Sequence, residues 1–235
     1  MLDKSLTTAG GDLDRARVQS AFAASSLKLL DHHLREAPLD GRAFQVVSTV
    51  SDFEMVALPL VEELRRRGAI VKSACFWVAT RLLNDDRNSP QEIAPIKAVI
   101  RDDLVAGSYE LLIAASQVGT IAELKIMAAH ALYDQENADI NVEAVTVISP
   151  LVHIDARRQF KDCLPERYAE SFFWHARRVD PELRYDGLLL PGIGLKPFEV
   201  AGFTRMEETF KFVPNALTKS SDFQRRSNPA YTPSP

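Results

Sequence analysis

The sequence is poor in cysteine and has no marked excess of either charge. Its 235 residues include two cysteines, Cys75 and Cys163, which lie in apolar surroundings without CxxC or Cys/His ligand spacing. We therefore expect no disulfide framework and no structural zinc, but a reducing, cytoplasmic setting. The chain has 28 basic and 32 acidic residues and a net charge of −4. This balance predicts no general attraction to nucleic acid or to an anionic membrane.

Long apolar runs are also missing. No stretch approaches the roughly 18 consecutive apolar residues of a membrane span, and the polar first 18 residues lack the pattern of a signal peptide. The hydrophobic content of 46% is nevertheless enough to bury a large core. The composition predicts a soluble globular chain of one domain, with a possible appendage.

Apolar strands and amphipathic helices alternate along the chain. Strands are predicted at residues 44–50, in "AIVKSACFWVATRLL", and at 110–114 and 142–148, with two more in "FFWHARRV" and "YDGLLLPGIG". The intervening helices predict an α/β fold with a mostly parallel sheet flanked by helices. We divide the chain into an N-terminal flexible start and helix, a central domain and a C-terminal tail, at residues 1–40, 41–212 and 213–235.

In such a sheet a ligand binds beyond the carboxyl ends of the strands. Gly119 and Thr120 occupy one of these loops, before a helix whose free N–H groups favour a phosphate, although an ordinary turn and N-cap would use the same residues. Gly192 and Gly194 would let a planar ligand approach the backbone, but a structural hairpin explains them equally well.

The five histidines are not interpreted as a metal-binding set, because His32 and His33 lie on the N-terminal helix and His130 lies within a later helix. His153 alone follows a strand where a ligand could bind, with a core or capping role as the alternative, and His175 is interpreted as part of a surface strand.

Three segments together resemble the type I phosphoribosyltransferases, and most of all the uracil phosphoribosyltransferases. They are "YELLIAASQVGTIAELKIMAAHAL", "VEAVTVISPLVHIDARRQF" and "YDGLLLPGIGLKPFEVAGF", and the resemblance spans about residues 44–203. Their order is similar to that of the family's phosphoribosyl-pyrophosphate loop, its next strand and its base-recognising segment. The resemblance implies phosphoribosyl transfer from phosphoribosyl pyrophosphate to a base-like acceptor, with Mg²⁺ as cofactor and a homodimer as the assembly.

The resemblance also implies three groups of ligand-binding residues. Those for the 5-phosphate are Ser116, Gly119 and Thr120. Those for the pyrophosphate are Ser48, Thr49, Ser51 and Arg81. Those for the base are Leu190, Gly192, Ile193 and Gly194.

Several positions depart from the family pattern. Ala114 stands where the family has an acid for the ribose hydroxyls, so the phosphoribosyl-pyrophosphate loop is degenerate. Asp52 and Glu54 would repel a pyrophosphate unless a magnesium ion lay between them. A second hypothesis is therefore a derived, non-catalytic member that binds a nucleotide-like ligand or a protein partner as a regulator or scaffold. A third is a likeness of architecture alone, with an anion-dependent enzyme that uses Asp52, His153 and Arg81.

Overall fold

The structure is a computed structural model that describes residues 15–39, 41–82, 92–136, 139–183, 189–190, 197–203 and 205–218. Its first part contains, in chain order, α1 (Arg15–Glu36), β1 (Ala43–Thr49), α2 (Val50–Asp52), a π-helical segment (Phe53–Ala57), α3 (Leu58–Arg66) and β2 (Ile70–Val78). A hairpin and an edge strand follow: β3 (Arg81–Leu82), β4 (Glu92–Ile93) and β5 (Ile96–Arg101).

The second part starts with β6 (Gly107–Ala114), β7 (Gln117–Val118), α4 (Ala122–Glu136), β8 (Ile140–His153) and α5 (Ala156–Lys161). After a 3-10 turn (Glu166–Tyr168) come β9 (Phe172–Asp180), β10 (Glu182–Leu183), β11 (Leu189–Leu190), α6 (Pro197–Val200), α7 (Met206–Thr209) and α8 (Asn215–Thr218). Among the described helices, none combines the length and the apolar character needed to cross a membrane.

Seven of the described strands form the central sheet. Its order is β5-β2-β1-β6-β8-β7, and β9 also pairs with β8. All neighbours run parallel except β5, which is antiparallel to β2. The predicted mostly parallel α/β sheet with an N-terminal helix is confirmed. The polar connection after β2, predicted to have room for a hairpin, forms one between Arg81–Leu82 and Glu92–Ile93.

The sheet is covered by helices on both faces because its buried strands are apolar on both sides. Along β6, Leu112 and Ala114 face the core formed with α1 and α3, whereas Leu111 and Ile113 face the core formed with α4 and α5. This alternation follows the two-residue period of a strand. The carboxyl ends of the parallel strands are thus left between the two layers, where loops can form a site.

The helix after β1 starts with an unusual turn. Phe53–Ala57 is π-helical, and the N–H of Leu58 donates to the carbonyl of Phe53, five residues earlier. Pro59 explains this turn, because proline has no N–H to donate to the carbonyl of Met55 in an α-helical pattern. The sequence predicted that Pro59 would bend or tighten the first turns of this helix. Instead the turn widens, and such turns are frequent at functional sites.

A buried carboxylate ties α1 to the sheet. Glu110 of β6 pairs with Arg42 and accepts a hydrogen bond from the Thr146 hydroxyl at 2.5 Å. His33 Nε2 lies 2.7 Å from Oε1 of Glu110, although its N–H is not aligned for a regular hydrogen bond. Burial raises the pKa of Glu110, but these partners outweigh burial and lower it below its ordinary value. Glu110 is therefore an anion held inside the protein.

His33 extends this cluster to the edge of the sheet. Its Nδ1 lies 3.0 Å from Nε2 of His175 on β9. Burial lowers the pKa of His175 to about 4, and His33 adds to the effect, so the His175 ring is neutral at pH 7. Its exposed fraction is 6%, and the interpretation of His175 as part of a surface strand was wrong because α1 covers this face of β9.

The C-terminal elements pack on the α1 face. The indole N–H of Trp77 donates to the carbonyl of Thr209 at 2.8 Å, and Leu217 is buried in the same core. Residues 213–218 of the predicted tail thus contact the central domain, and residues 219–235 lie outside the described part of the chain. The division of the chain at residue 212 stays a prediction.

We expect E110A to lower the free energy of unfolding by about 3–5 kcal/mol, because it leaves buried charged and polar groups without their carboxylate. D155A removes the exposed ion pair of Asp155 with Arg158 and should cost less than about 1 kcal/mol. Urea unfolding of both variants measures the two effects. Equal losses would show that the Glu110 cluster does not stabilise the fold in this way.

Candidate functional site

The carboxyl ends of three adjacent strands bring polar side chains together. β1, β2 and β6 are neighbours in the sheet, and Asp52, Thr80 and Ser116 follow them closely. Glu123 adds a carboxylate from the first turn of α4. The sequence predicted that loops at this edge would form the site, but it did not single out Thr80 or Glu123.

Asp52 is the central group of this edge. Its exposed fraction is 1%, and burial raises its pKa from 3.8 to about 7. The hydroxyl and N–H of Ser116 and the Thr49 hydroxyl reduce this rise, while the charge of Glu123 adds to it. A carboxyl group with a pKa near neutrality can both accept and donate a proton, as a general acid or base must.

Two atoms in this cluster are incompletely satisfied. Among the described residues, Oδ1 of Asp52 and Oγ of Ser116 are buried without a hydrogen bond of regular geometry. A buried polar atom in this condition costs free energy, and such atoms in native proteins are often explained by a catalytic role or a bound molecule. Of the four such atoms among the described residues, these two lie together at the carboxyl edge of the sheet, where a ligand would account for them.

The Thr80 hydroxyl donates to Oε1 of Glu123 at 2.6 Å. This bond connects the loop after β2 to the first turn of α4, where a negative side chain is favoured by the helix dipole. A second carboxylate therefore lies close enough to Asp52 to affect its pKa. The edge is acidic in its described part, which matters for any anionic ligand.

The structure divides the predicted phosphate-binding residues into two places. Ser116 is buried beside Asp52, whereas Gly119 and Thr120 are half-buried before α4. This helix starts at Ala122, one residue later than the predicted cap at Thr120 implies. The short strand β7 lies between Ser116 and Gly119 in the chain. It pairs with β8 beyond the residues of β8 that pair with β6. The assignment of these residues to a phosphate stays a prediction.

The predicted pyrophosphate-binding residues also differ in their surroundings. The Ser48 hydroxyl is buried and donates to the carbonyl of Thr49 at 3.1 Å, and Thr49 approaches Asp52. Ser51 is half-buried and lines a cavity. Arg81 lies in β3, where its backbone pairs with Ile93, and its side chain lies outside the described part of the structure. Their ligand contacts remain predictions.

The cavity at Ser51 has a volume of about 250 Å³. It is bounded by the first half of α1, the turn after β1 and the C-terminal elements, and its lining residues are Gln19, Ser20, Ala23, Val50, Ser51, Glu54, Met55, Ala201, Phe203 and Phe212. Two lining residues form hydrogen bonds to the C-terminal elements. Gln19 donates to the carbonyl of Val200, and Glu54 accepts from the N–H of Asn215, both at 2.8 Å. The cavity is a separate volume next to the Asp52 edge, and the sequence did not predict it.

The remaining sequence candidates are less well placed or lie outside the description. Leu190 belongs to β11, whose backbone pairs with β10, and Gly192, Ile193 and Gly194 lie outside the described residues. Nδ1 of His153 accepts from the N–H of Asp155 at 3.3 Å, so this ring stabilises the turn that follows β8.

The resemblance implies magnesium as a cofactor, but the described residues at this edge do not suit the ion. Oxygen donors suit this ion, but Mg²⁺ keeps several water ligands, whereas Asp52 and Ser116 have exposed fractions of 1% and 0%. The exposed Glu54 uses one carboxylate oxygen for Asn215. These residues do not fit a solvated magnesium site, so the ion would have to arrive on the phosphate groups of a ligand.

The pKa of Asp52 predicts how stability changes with pH. The folded protein holds a proton between about pH 4 and pH 7 that the unfolded chain has lost, so unfolding becomes easier as pH rises through this window. We expect D52N to remove this fall and to be more stable than the wild type at pH 8 by up to about 4 kcal/mol.

Urea unfolding at several pH values measures this difference. D162N changes an exposed carboxylate just after the last residue of α5 and should leave the pH dependence unaltered. If the stability of the wild type rises between pH 4 and pH 7, and that of D52N rises by the same amount, then Asp52 is not a buried carboxyl with a raised pKa.

Comparison with known proteins supports the fold. No family model matches the chain, and no curated protein matches it. Among solved structures, the AQ2163 protein from Aquifex aeolicus aligns with 81% of this chain and 88% of its own, at 10% identity and a TM-score of 0.60. This likeness shows a shared fold.

Two further solved structures match with TM-scores below one half. Adenine phosphoribosyltransferase from Thermoanaerobacter pseudethanolicus aligns with 70% of this chain and 84% of its own, at 13% identity and a TM-score of 0.39. Hypoxanthine-guanine phosphoribosyltransferase from L. donovani aligns with 75% of this chain and 85% of its own, at 12% identity and a TM-score of 0.41.

Proposed function

We propose that the chain is a phosphoribosyltransferase-like protein that binds phosphoribosyl pyrophosphate, or a nucleotide-like small molecule, at the carboxyl edge of its sheet. The observation that carries the proposal is the buried pair of Asp52 and Ser116, which the loops after β1 and β6 bring together with unsatisfied polar atoms. The loop after β6 belongs to the segment that resembles the family's phosphoribosyl-pyrophosphate loop.

In this proposal the chain acts mainly by orienting its substrates and by stabilising the departing pyrophosphate. A ring nitrogen of the acceptor base attacks the anomeric carbon of the ribose, and the bond to pyrophosphate breaks. The nitrogen loses its proton, and Asp52 is the group that accepts it, because a carboxyl of pKa about 7 is half ionised at neutral pH. The N–H groups before α4, near Gly119 and Thr120, hold the 5-phosphate.

A second candidate is a non-catalytic member that binds the same ligand class. Ala114 favours it, because this last residue of β6 has an exposed fraction of 0% and brings no acid to the ribose. The acidic surroundings of Asp52 and Glu123 also oppose an unaccompanied pyrophosphate. Binding without transfer would then serve regulation, and the homodimer implied by the resemblance would be the assembly.

We expect saturable binding of magnesium phosphoribosyl pyrophosphate, or of uridine monophosphate, when purified protein is titrated by calorimetry. G119W should weaken this binding at least about tenfold, because the added ring fills the space in front of the N–H groups of α4. V105W is the matched control, since Val105 is 61% exposed beyond the opposite end of β6. Absence of binding by either ligand at millimolar concentration would overturn the proposal.

Release of pyrophosphate separates the two candidates. If the protein is a transferase, a screen of acceptor bases with bound phosphoribosyl pyrophosphate yields pyrophosphate with one of them, and D52N lowers the rate without equal loss of affinity. Binding that survives in the wild type with no release for any base would favour the non-catalytic member. An unchanged rate in D52N would remove Asp52 from the proton transfer.

A further inference from the structure

His32, Glu36 and His175 converge on the α1 side of the sheet edge. His32 and Glu36 lie one turn apart on α1, and Nε2 of His32 is 3.1 Å from Oε1 of Glu36. His175 reaches the same place from β9, so that one ligand-type atom of each residue lies within 4.8 Å of the others. The rings of His32 and His175 meet edge to face, with centroids 5.5 Å apart.

We propose that His32, Glu36 and His175 form a binding site for a divalent transition-metal ion of the zinc class. Two imidazoles and one carboxylate are the protein ligands of several zinc centres, which keep a further coordination position for water. The separations are too long for direct tetrahedral coordination as they stand. They close by rotation of His32 and Glu36, whose side chains are 51% and 47% exposed.

The buried cluster behind His175 gives the site its orientation. A metal-binding imidazole commonly uses its second ring nitrogen in a hydrogen bond that fixes the ring. Here Nε2 of His175 lies 3.0 Å from Nδ1 of His33, whose Nε2 lies 2.7 Å from the carboxylate of Glu110. In this proposal the other ring nitrogen of His175, Nδ1, is the metal ligand, and the buried cluster holds the ring that bears it.

This site is distinct from the Asp52 edge and from the 250 Å³ cavity. Gln19 lines that cavity from α1, and His32 lies 13 residues further along the same helix, about 20 Å away at the helical rise. The metal would join the C-terminal half of α1 to the edge strand β9. It does not depend on the ligand proposed for the carboxyl edge.

The sequence did not predict a metal-binding set that includes His32 and His175, and the reason is physical. His32 and Glu36 are neighbours on any helix, but the third ligand is 139 residues further along the chain than Glu36. Only the packing of α1 on β9 brings His175 near, and in the sequence this histidine stands in an aromatic segment, where its ring stacks on Phe173.

The test is a titration of the full chain with Zn²⁺ alone, by calorimetry, together with the absorption spectrum of the Co²⁺ form. We expect one Zn²⁺ per chain, a Co²⁺ spectrum with imidazole ligands and a Tm that rises by about 5–10 °C at a hundredfold excess over Kd. H32Q and E36Q alter half-exposed side chains and should fold normally, yet each should weaken binding at least about tenfold.

Two control variants exclude other ligands. H153Q changes a histidine at the far end of β8, and C163S removes the exposed thiol; both should bind Zn²⁺ as the wild type does. The proposal fails if less than one equivalent binds, if H32Q and E36Q bind as tightly as the wild type, or if the loss appears in C163S. An effect of Zn²⁺ on Tm that persists in both H32Q and E36Q would also overturn it.

Discussion

The fold depends on one buried negative charge. Glu110 lies in the middle of the sheet on the face that α1 covers, and an ion in such a place costs several kcal/mol unless it is compensated. Arg42, Thr146 and His33 supply the compensation from three different parts of the chain. The position of α1 over β6, β8 and β9 is therefore selected by electrostatics as well as by apolar packing. The same requirement orders the ring of His175 at the sheet edge.

The architecture could be predicted from the sequence because it follows from local periodicity. The apolar runs at residues 44–50 and 142–148 coincide with β1 and with part of β8, apart from one residue at the end of β1. The apolar spacing of the N-terminal segment predicts a helix over about residues 14–36, and α1 is Arg15–Glu36. The antiparallel strand β5 was missed, because its exposed and half-buried pattern at the sheet edge lacks the continuous apolar run of a central strand. β7 was missed because a strand of two residues is too short to show an alternation of apolar and polar side chains.

The site was less predictable, because its chemistry depends on burial. The loops at the carboxyl edge could be named from topology, and Asp52 was recognised as an acid within one of them. Its raised pKa could not be foreseen, since it arises from burial to 1% exposure at the position just before the π-helical turn. The π-helical turn follows from Pro59. This proline is visible in the sequence, but its effect on the hydrogen bonds of the helix could be seen only in the backbone structure. Thr80 gave no signal, because a threonine after a strand is common in any α/β protein.

β6 explains why an acid for a ribose must come from elsewhere. Glu110 and Ala114 lie on the same face of the strand, four residues apart, which separates their Cα atoms by about 13 Å. Glu110 is held by three partners and is 2% exposed, so it cannot reach the carboxyl edge where Ala114 ends the strand. The described acids that follow β1 and β6 most closely are Asp52, Glu54 and Glu123, and two of them already use an oxygen for Asn215 or Thr80. Asp52 alone combines burial, a free carboxyl oxygen and a position beside the loop after β6. Asp52 is therefore the carboxyl that this edge offers to a ligand, as the proposed proton transfer requires.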